Sequence, residues 1–215
     1  MPKDAAIQLP VYASVNRTSS TPEYDPYDQD VKLNQKLDAA TSKFETDSIR
    51  NVSEDITTTK TFTVTNARKN KTNNKKPKPW DISNFGFNYA YINMEHHNPL
   101  IEKEELRRTR AALDYSYAPQ VKPVEPFKRL IKSKSPWFAL IRDFNFNYLP
   151  SLFSFKADVS RQFGSFLPRN VGGGPYKVPE TYDKYFLFDR YYIVNWDLTK
   201  SIRIDYTAVN NARVD

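Results

Sequence analysis

The stretch DFNFNYLPSLFSFKADVSRQF, residues 143–163, decides the fold. Phe144, Phe146 and Tyr148 alternate with Asp143, Asn145 and Asn147. Beyond Pro150, Phe153, Phe155, Ala157 and Val159 alternate with Ser154, Lys156, Asp158 and Ser160. A period of two places each set on its own face of an extended strand. The apolar parity changes at Leu149–Pro150–Ser151. A one-residue slip would expose the wrong face, so a bulge or kink is predicted there. The result is a ribbon with one aromatic face and one wet face.

The same pattern recurs on both sides. TKTFTVTNARK (59–69) alternates. Phe85, Phe87, Tyr89 and Tyr91 stand opposite Asn84, Gly86, Asn88 and Ala90 and predict a strand of at least eight residues. RAALDYSYAP returns as a second strand carrying Leu113, Tyr115 and Tyr117, and the two read as an antiparallel hairpin with a long connection. Pro123, Pro126 and Pro136 exclude a central strand between them and the opening ribbon. WFALIRDF is either one turn of amphipathic helix or the run-in to the next strand. The last hairpin is the clearest. Phe186, Phe188, Tyr192, Val194, Trp196 and Leu198 share a parity, a tight turn falls near Thr199–Lys200–Ser201, and Ile202, Ile204, Tyr206 and Ala208 follow.

This divides the chain in two. Residues 1–58 read as a loop-rich arm in which Leu33, Leu37 and Ala40 give a weak helical stripe; SVNRTSSTPEYDP reads as loop. Residues 59–215 read as an antiparallel β segment with long loops at 69–80, 98–107, 119–140 and 169–181. TFTVTNAR (61–68) and YTAVNNAR (206–213) end alike, which fits either repeated strand positions or chance.

Composition agrees with extended sheet. Apolar residues make up 39% of the chain, below the roughly 45–50% usual in globular domains. Tyr and Phe number 14 each, against 15 Pro and 5 Gly. Aromatics suit a pleated surface. The absence of cysteine excludes disulfides. MPKDAAIQLPVYAS lacks the apolar core of an export signal, and no run reaches the roughly 18 apolar residues of a membrane helix. Any membrane crossing is therefore made by strands.

No residue set announces bond chemistry. His96 and His97 are adjacent and read as loop histidines, without the convergent ligands of a metal site. Glu102, Glu104 and Glu105 beside Arg107, Arg108 and Arg110 read as a solvated charged loop. GGGPYK lacks the context of a phosphate loop. No enzyme activity, metal or cofactor is expected. The net charge of +7 is concentrated in RKNKTNNKKPKPW, which carries Lys69, Lys71, Lys75, Lys76 and Lys78. Its lysines are not interleaved with stacking aromatics apart from Trp80, which argues against nucleic acid. A solvated loop, or contact with anionic headgroups or lipopolysaccharide, fits better.

Two environments suit such strands. A transmembrane barrel exposes the apolar face to lipid and the polar face to a lumen. A soluble β-sandwich also alternates, and would serve as a binding module for surface glycan or nucleic acid. Strand length and the Tyr/Phe-rich face favour lipid. In that reading Phe85, Phe87, Tyr89, Tyr91, Phe144, Phe146, Tyr148, Phe153, Phe155, Phe186, Phe188 and Trp196 face lipid or a partner. Asn84, Asn88, Asn145, Asn147, Lys156 and Asp158 face the lumen. Arginine at Phe146 would then cost about 2–4 kcal/mol.

KPWDISNFGFNYAY, VEPFKRLIKSKSPWFALIRDFNFNYLPSLFSFKADVSRQFG, LPRNV and TYDKYFLFDRYYIVNWDLTKSIRIDYTAVNNARVD resemble the SprA/Sov family of gliding-motility proteins. VYASVNRTSSTPEYDPYDQDVKLNQKLDAA and ITTTKTFTVTNARKNK are similar to it too. The family forms the outer-membrane translocon of the type IX secretion system. The resemblance implies an internal fragment of a much longer chain: wall strands of a very large transmembrane β-barrel. It implies as partners the remainder of that chain, a shuttle-type barrel, a plug protein, secreted cargo and outer-membrane lipid or lipopolysaccharide. It carries no catalytic or ligand residue onto this sequence.

Overall fold

The computed structural model describes residues 6–72, 76–128, 130, 135, 137, 139–172, 174 and 177–214. It is 57% strand and 13% helix. Six long strands follow one another: β5 (Asp55–Lys69), β6 (Phe85–His97), β7 (Ile101–Tyr117), β8 (Leu152–Pro168), β9 (Thr181–Asp197) and β10 (Arg203–Val214). Each pairs antiparallel with the next, as expected of a meander. On the outer side of β5 lie β1 (Ile7–Gln8) and β2 (Val11–Ser20), end to end, completing an eight-stranded sheet. The sheet is open, not closed.

Residues 11–20 thus form a ten-residue strand, within the stretch read from sequence as arm and loop. SVNRTSS has no aromatic face to announce it. Its partner supplies the pattern, since Val11 and Val15 stand opposite Val64 and Lys60 across β5. The helical part of the arm lies in 21–54. A small ribbon of β3 (Tyr24–Asp25) and β4 (Asp28–Lys32) leads into α1 (Leu33–Ala39) and α2 (Lys43–Ser53). Ser42 caps α2 by accepting the Glu45 amide at 3.2 Å, while the Glu45 carboxylate accepts the Thr41 amide at 3.0 Å. These reciprocal bonds satisfy donors that a helix start leaves unpaired.

Asp25 and Leu33 are fully buried inside this insert. Burial pushes the Asp25 carboxyl upward. The Lys36 ammonium bonded to it and the Tyr27 and Asp28 amides outweigh that, and hold its pKa below the ordinary carboxylate value. The insert is tied to the strand ends by Tyr27 Oη donating to Pro99 O at 2.5 Å and by Arg169 donating to Asn51 O at 3.4 Å.

Three sequence expectations change. Residues 101–107 are strand, not loop. The turn is confined to Asn98–Leu100, where the Asn98 carboxamide accepts the amides of Leu100 and Ile101 at 2.8 and 2.7 Å. The charges of IEKEELRR disguised it, because they find partners across the sheet. His96 and His97 end strand β6 rather than sitting in a loop. The bulge predicted at Pro150 is absent, because β8 begins at Leu152. Phe144 to Tyr148 lie before the sheet, bridged to Val124 through Phe146 and bonded to the end of β9 and the following turn through Asn145 and Asn147. Register shifts occur elsewhere, between Ile101 and Lys103 of β7 and in β5. In β5 the register shifts between Val64 and Ala67, and Asn66 adopts φ 51°. A left-handed residue is costly for most side chains and tolerable for Asn. Asn66 is held there by the Asn88 carboxamide, which accepts its amide at 2.7 Å.

Candidate functional site: the two faces of the sheet

Register assigns every strand residue to a face. On the first face Phe85, Tyr115, Phe155 and Tyr192 form one row across four strands. Tyr89, Ala111, Val159 and Phe188 form another, continued by Val64 and Val11 on one side and Ala212 on the other. Tyr91, Thr109, Arg161 and Phe186 form a third, with Phe62 beside Tyr91. Phe87 lies between Leu113 and Ala67, while Phe153 and Trp196 close the band at one end. Ring pairs bind neighbouring strands: Phe85–Tyr115 at 4.9 Å and Phe155–Tyr192 at 5.1 Å between centroids. Such pairs add to sheet stability beyond area alone.

On β7, β8 and β9 the apolar band runs for about nine to eleven residues, the length of a tilted membrane-crossing strand. At a tilt of about 40° it stands about 25 Å tall. Arg161 and Arg190 interrupt it toward β9, where Arg190 lies 5.1 Å over the Phe188 ring.

Beyond the band, toward Asn98, the first face turns polar. The first face then carries Asn93, Glu95, Glu105 and Arg107. Buried Glu105 (6% exposed) is paired there with Arg107, and with Lys103 at 3.7 Å. The opposite face is mixed there: Ile92, Met94, Leu106 and Phe166 stand among Arg108, Gln162, His96 and Glu104. The strands are 13 to 17 residues long from β6 to β9, so they outrun the band.

The second face, level with the band, is a polar ladder. Asn88 donates to Asp114 at 2.8 Å, and Lys156 lies 3.8 Å from the same carboxylate. Arg110 grips Asp158 through three contacts of 2.5 to 3.1 Å, and Asp158 is 4% exposed. Arg108 donates to Gln162 at 2.7 Å, Gln162 donates to Asp183 at 2.9 Å, and Tyr185 Oη donates to Gln162 at 3.0 Å. Thr57, Thr59, Thr61 and Thr63 line β5 on this face. Near its end the His96 ring joins Glu104 at 2.8 Å and Asp55 at 3.1 Å, linking three strands.

The structure therefore brings together Phe85, Phe87, Tyr89, Tyr91, Phe153, Phe155, Phe186, Phe188 and Trp196 on one face, and Asn88, Lys156 and Asp158 on the other. It does not bring in the remaining candidates. Asn84 sits in a 3₁₀ turn (Ile82–Asn84), donating to the carbonyls of Lys78 and Pro79. Asn145 accepts the Lys200 amide at 2.8 Å, and Asn147 donates to Asp197 O at 2.5 Å. These two clamp the 118–151 connection onto the β9–β10 turn. Phe144 packs between Phe127 and Phe146 within that connection, and Tyr148 is exposed beside them. Of the basic-loop lysines, Lys69, Lys71, Lys76 and Lys78 are exposed. Lys75 lies outside the described residues. Sequence reasoning missed Arg110, Arg108 and Gln162. The alternation RRTR–ALD against SRQF, read as paired strands, carries that signal.

Only three hydrophobic side chains among the described residues are buried: Leu33, Ile56 and Ala112. The sheet is a single layer with both faces open. No helix among the described residues is long and apolar enough to cross a membrane, which leaves strands unconstrained.

The class these features define is an open, single-layer antiparallel meander with an apolar band on one face and a polar ladder on the other. Residues 1–37 match a family model, SprA_N, described as motility related/secretion protein. The matched stretch contains β1 to β4, the buried Asp25 and Leu33, and the exposed Lys36 bonded to Asp25, and associates the chain with motility and secretion. Among curated proteins none matches the chain.

Proposed function

We propose that this chain is a structural segment of the wall of an outer-membrane protein-conducting translocon, serving type IX-type secretion and gliding motility. One observation carries the reading: a one-layer sheet whose apolar band has the height of a bilayer core and whose other face is a hydrogen-bonded polar ladder. A soluble sandwich packs a second sheet about 10 Å away over its aromatic face. Among the described residues nothing covers this one, and Phe87, Leu113 and Phe153 are each about two-fifths exposed. Lipid solvates such a face, and cannot pair backbone groups, so the two open edges are completed by further strands.

In this role the band faces lipid. The ladder of Asn88, Arg110, Lys156 and Asp158 faces an aqueous conduit wide enough for secreted cargo. The chain performs no bond chemistry and needs no cofactor. Toward β9 and β10 the interruptions Arg161, Arg190 and Asn210 favour contact with protein rather than lipid, the position for an adjoining shuttle-type barrel. A plug protein would contact the ladder side. Fractionation of cells producing the protein tests the reading. It should remain in the outer membrane after an alkaline carbonate wash. Release into the wash would refute it.

A further inference from the structure

The ends of the sheet differ in charge. Among the described residues, the segments joining strands at the Trp80 end, 70–84, 118–151 and 198–202, hold seven Lys and Arg against three Asp and Glu. Those at the opposite end, 21–54, 98–100 and 169–180, hold six against nine. The basic end also contains a shaped cleft. Lys69, Lys71, Trp80, Asp81 and Ile82 line an open pocket of about 320 Å³.

Its walls are fixed from the sheet. Tyr115 Oη donates to Pro79 O at 2.9 Å, Tyr117 Oη reaches Pro77 O at 3.5 Å, and the Asp81 carboxylate accepts the Lys78 amide at 2.8 Å. Trp80 and Ile82 remain 73% and 66% exposed, and the Lys78 ammonium stands 5.6 Å over the Trp80 ring. No carboxylate among the described residues lies within salt-bridge distance of Lys69, Lys71 or Lys78. The cleft opens at the border of the apolar band, just before Phe85.

We propose that this cleft binds the phosphorylated headgroup of a membrane lipid, with the three lysines on the phosphate and Trp80 and Ile82 against the glycan or the upper acyl chain. The inference rests on the reading of the strands as membrane-crossing, because that places the cleft at headgroup depth. Unpaired ammonium groups beside an exposed indole at an apolar border are the chemistry of an anionic interface. Lysines near such a surface each strengthen binding about fivefold. The same cleft sets the orientation of the wall, with its basic end toward the leaflet richer in phosphate.

The test uses the whole protein in nanodiscs of phosphatidylcholine, with or without lipid A, a bis-phosphorylated glycolipid. Retention of labelled lipid A is measured against dilution. Substituting Lys69→Gln, Lys71→Gln and Lys78→Gln together should weaken retention about a hundredfold. Trp80→Ala alone should weaken it a few-fold. Insertion into phosphatidylcholine should be unchanged in both. Dephosphorylated lipid A should bind as weakly as phosphatidylcholine, and inorganic phosphate should compete poorly. Equal retention by wild type and the triple variant would overturn the proposal, as would displacement by inorganic phosphate at matching concentration. A protein that inserts but holds both lipids alike refutes the cleft and keeps the crossing strands. One that stays out of phosphatidylcholine yet binds lipid A through the three lysines refutes the crossing strands and keeps the cleft.

Discussion

FNFNY (144–148) and FSFKADV (153–159) lie a few residues apart and alternate with equal clarity, yet only the second is a strand of the sheet. β8 finds β7 on one side and β9 on the other, paired almost throughout its length. FNFNY has one bridge, to Val124. Its asparagines bond to the β9–β10 turn, beside a backbone bond from the Asn147 amide to Leu198 O. Alternation thus makes a segment able to join a sheet, and the availability of two neighbours makes it join. Pro150 sits at the division between the two.

The largest expected effect breaks the comparison directly. Val159→Arg, in the middle of the band, should destabilise the protein folded into bilayers by about 2–4 kcal/mol. Phe146→Arg, expected from sequence to cost as much, should now cost under about 1 kcal/mol, because it lies outside the band. Urea titration of both variants in lipid vesicles measures the difference, and equal losses would mean that FNFNY crosses the membrane too.

Next in size is the ladder. Arg110→Ala leaves the buried Asp158 carboxylate without its fork and should destabilise the sheet by about 1–3 kcal/mol. A double variant with Asp158→Asn should recover part of the loss. If the double variant is worse than either single one, the pair is not the unit it looks.

Asn66 ranks third. Asn66→Ala forces a Cβ residue to keep φ 51° without the carboxamide that accepts Arg68 at 2.6 and 2.9 Å, and should cost about 1–2 kcal/mol. Asn66→Gly keeps the backbone freedom and should recover most of it. Indistinguishable melting of the two variants would show that the bulge is set by the β1–β2 break across the strand.

These predictions separate what was legible from what was not. The meander, the final hairpin and the grouping of Phe85, Phe87, Tyr89, Tyr91, Phe153, Phe155, Phe186, Phe188 and Trp196 could be read because an aromatic parity is a single-strand property. β2 could not, because VYASVNRTSS is polar and becomes a strand only beside the Thr-rich β5. IEKEELRR could not, because its charges look solvated until Glu104 meets His96 and Lys103 meets Glu180. The ladder is a relation between strands: Arg110 signals nothing until register sets it against Asp158. The polar end of the first face is visible in Glu105 and Arg107 sharing parity with Tyr115, once that segment is known to be strand.

The smallest effect belongs to the connection itself and is read by pH. Glu125 receives the ammonium groups of Lys128 at 2.5 Å and Lys200 at 2.7 Å, which hold its pKa down to about 2. Lys200 lies in the β9–β10 turn, so this carboxylate joins the 118–151 connection to the sheet as Asn145 and Asn147 do. Its folded value is depressed, so the stabilising contact is complete above the ordinary carboxylate value near 4.5 and is lost as pH falls toward 2. Pepsin nicking within 118–151, normalised to a peptide substrate, should therefore rise across that window while β8 stays protected. Glu125→Gln should remove the pH-dependent step and start from the looser level. A step that persists in the variant would assign the acid response to another carboxylate, Asp143 beside Arg142 being the neighbour also held low. A β8 that opens together with the loop would mean that the two halves of DFNFNYLPSLFSFKADVSRQF share one stability after all.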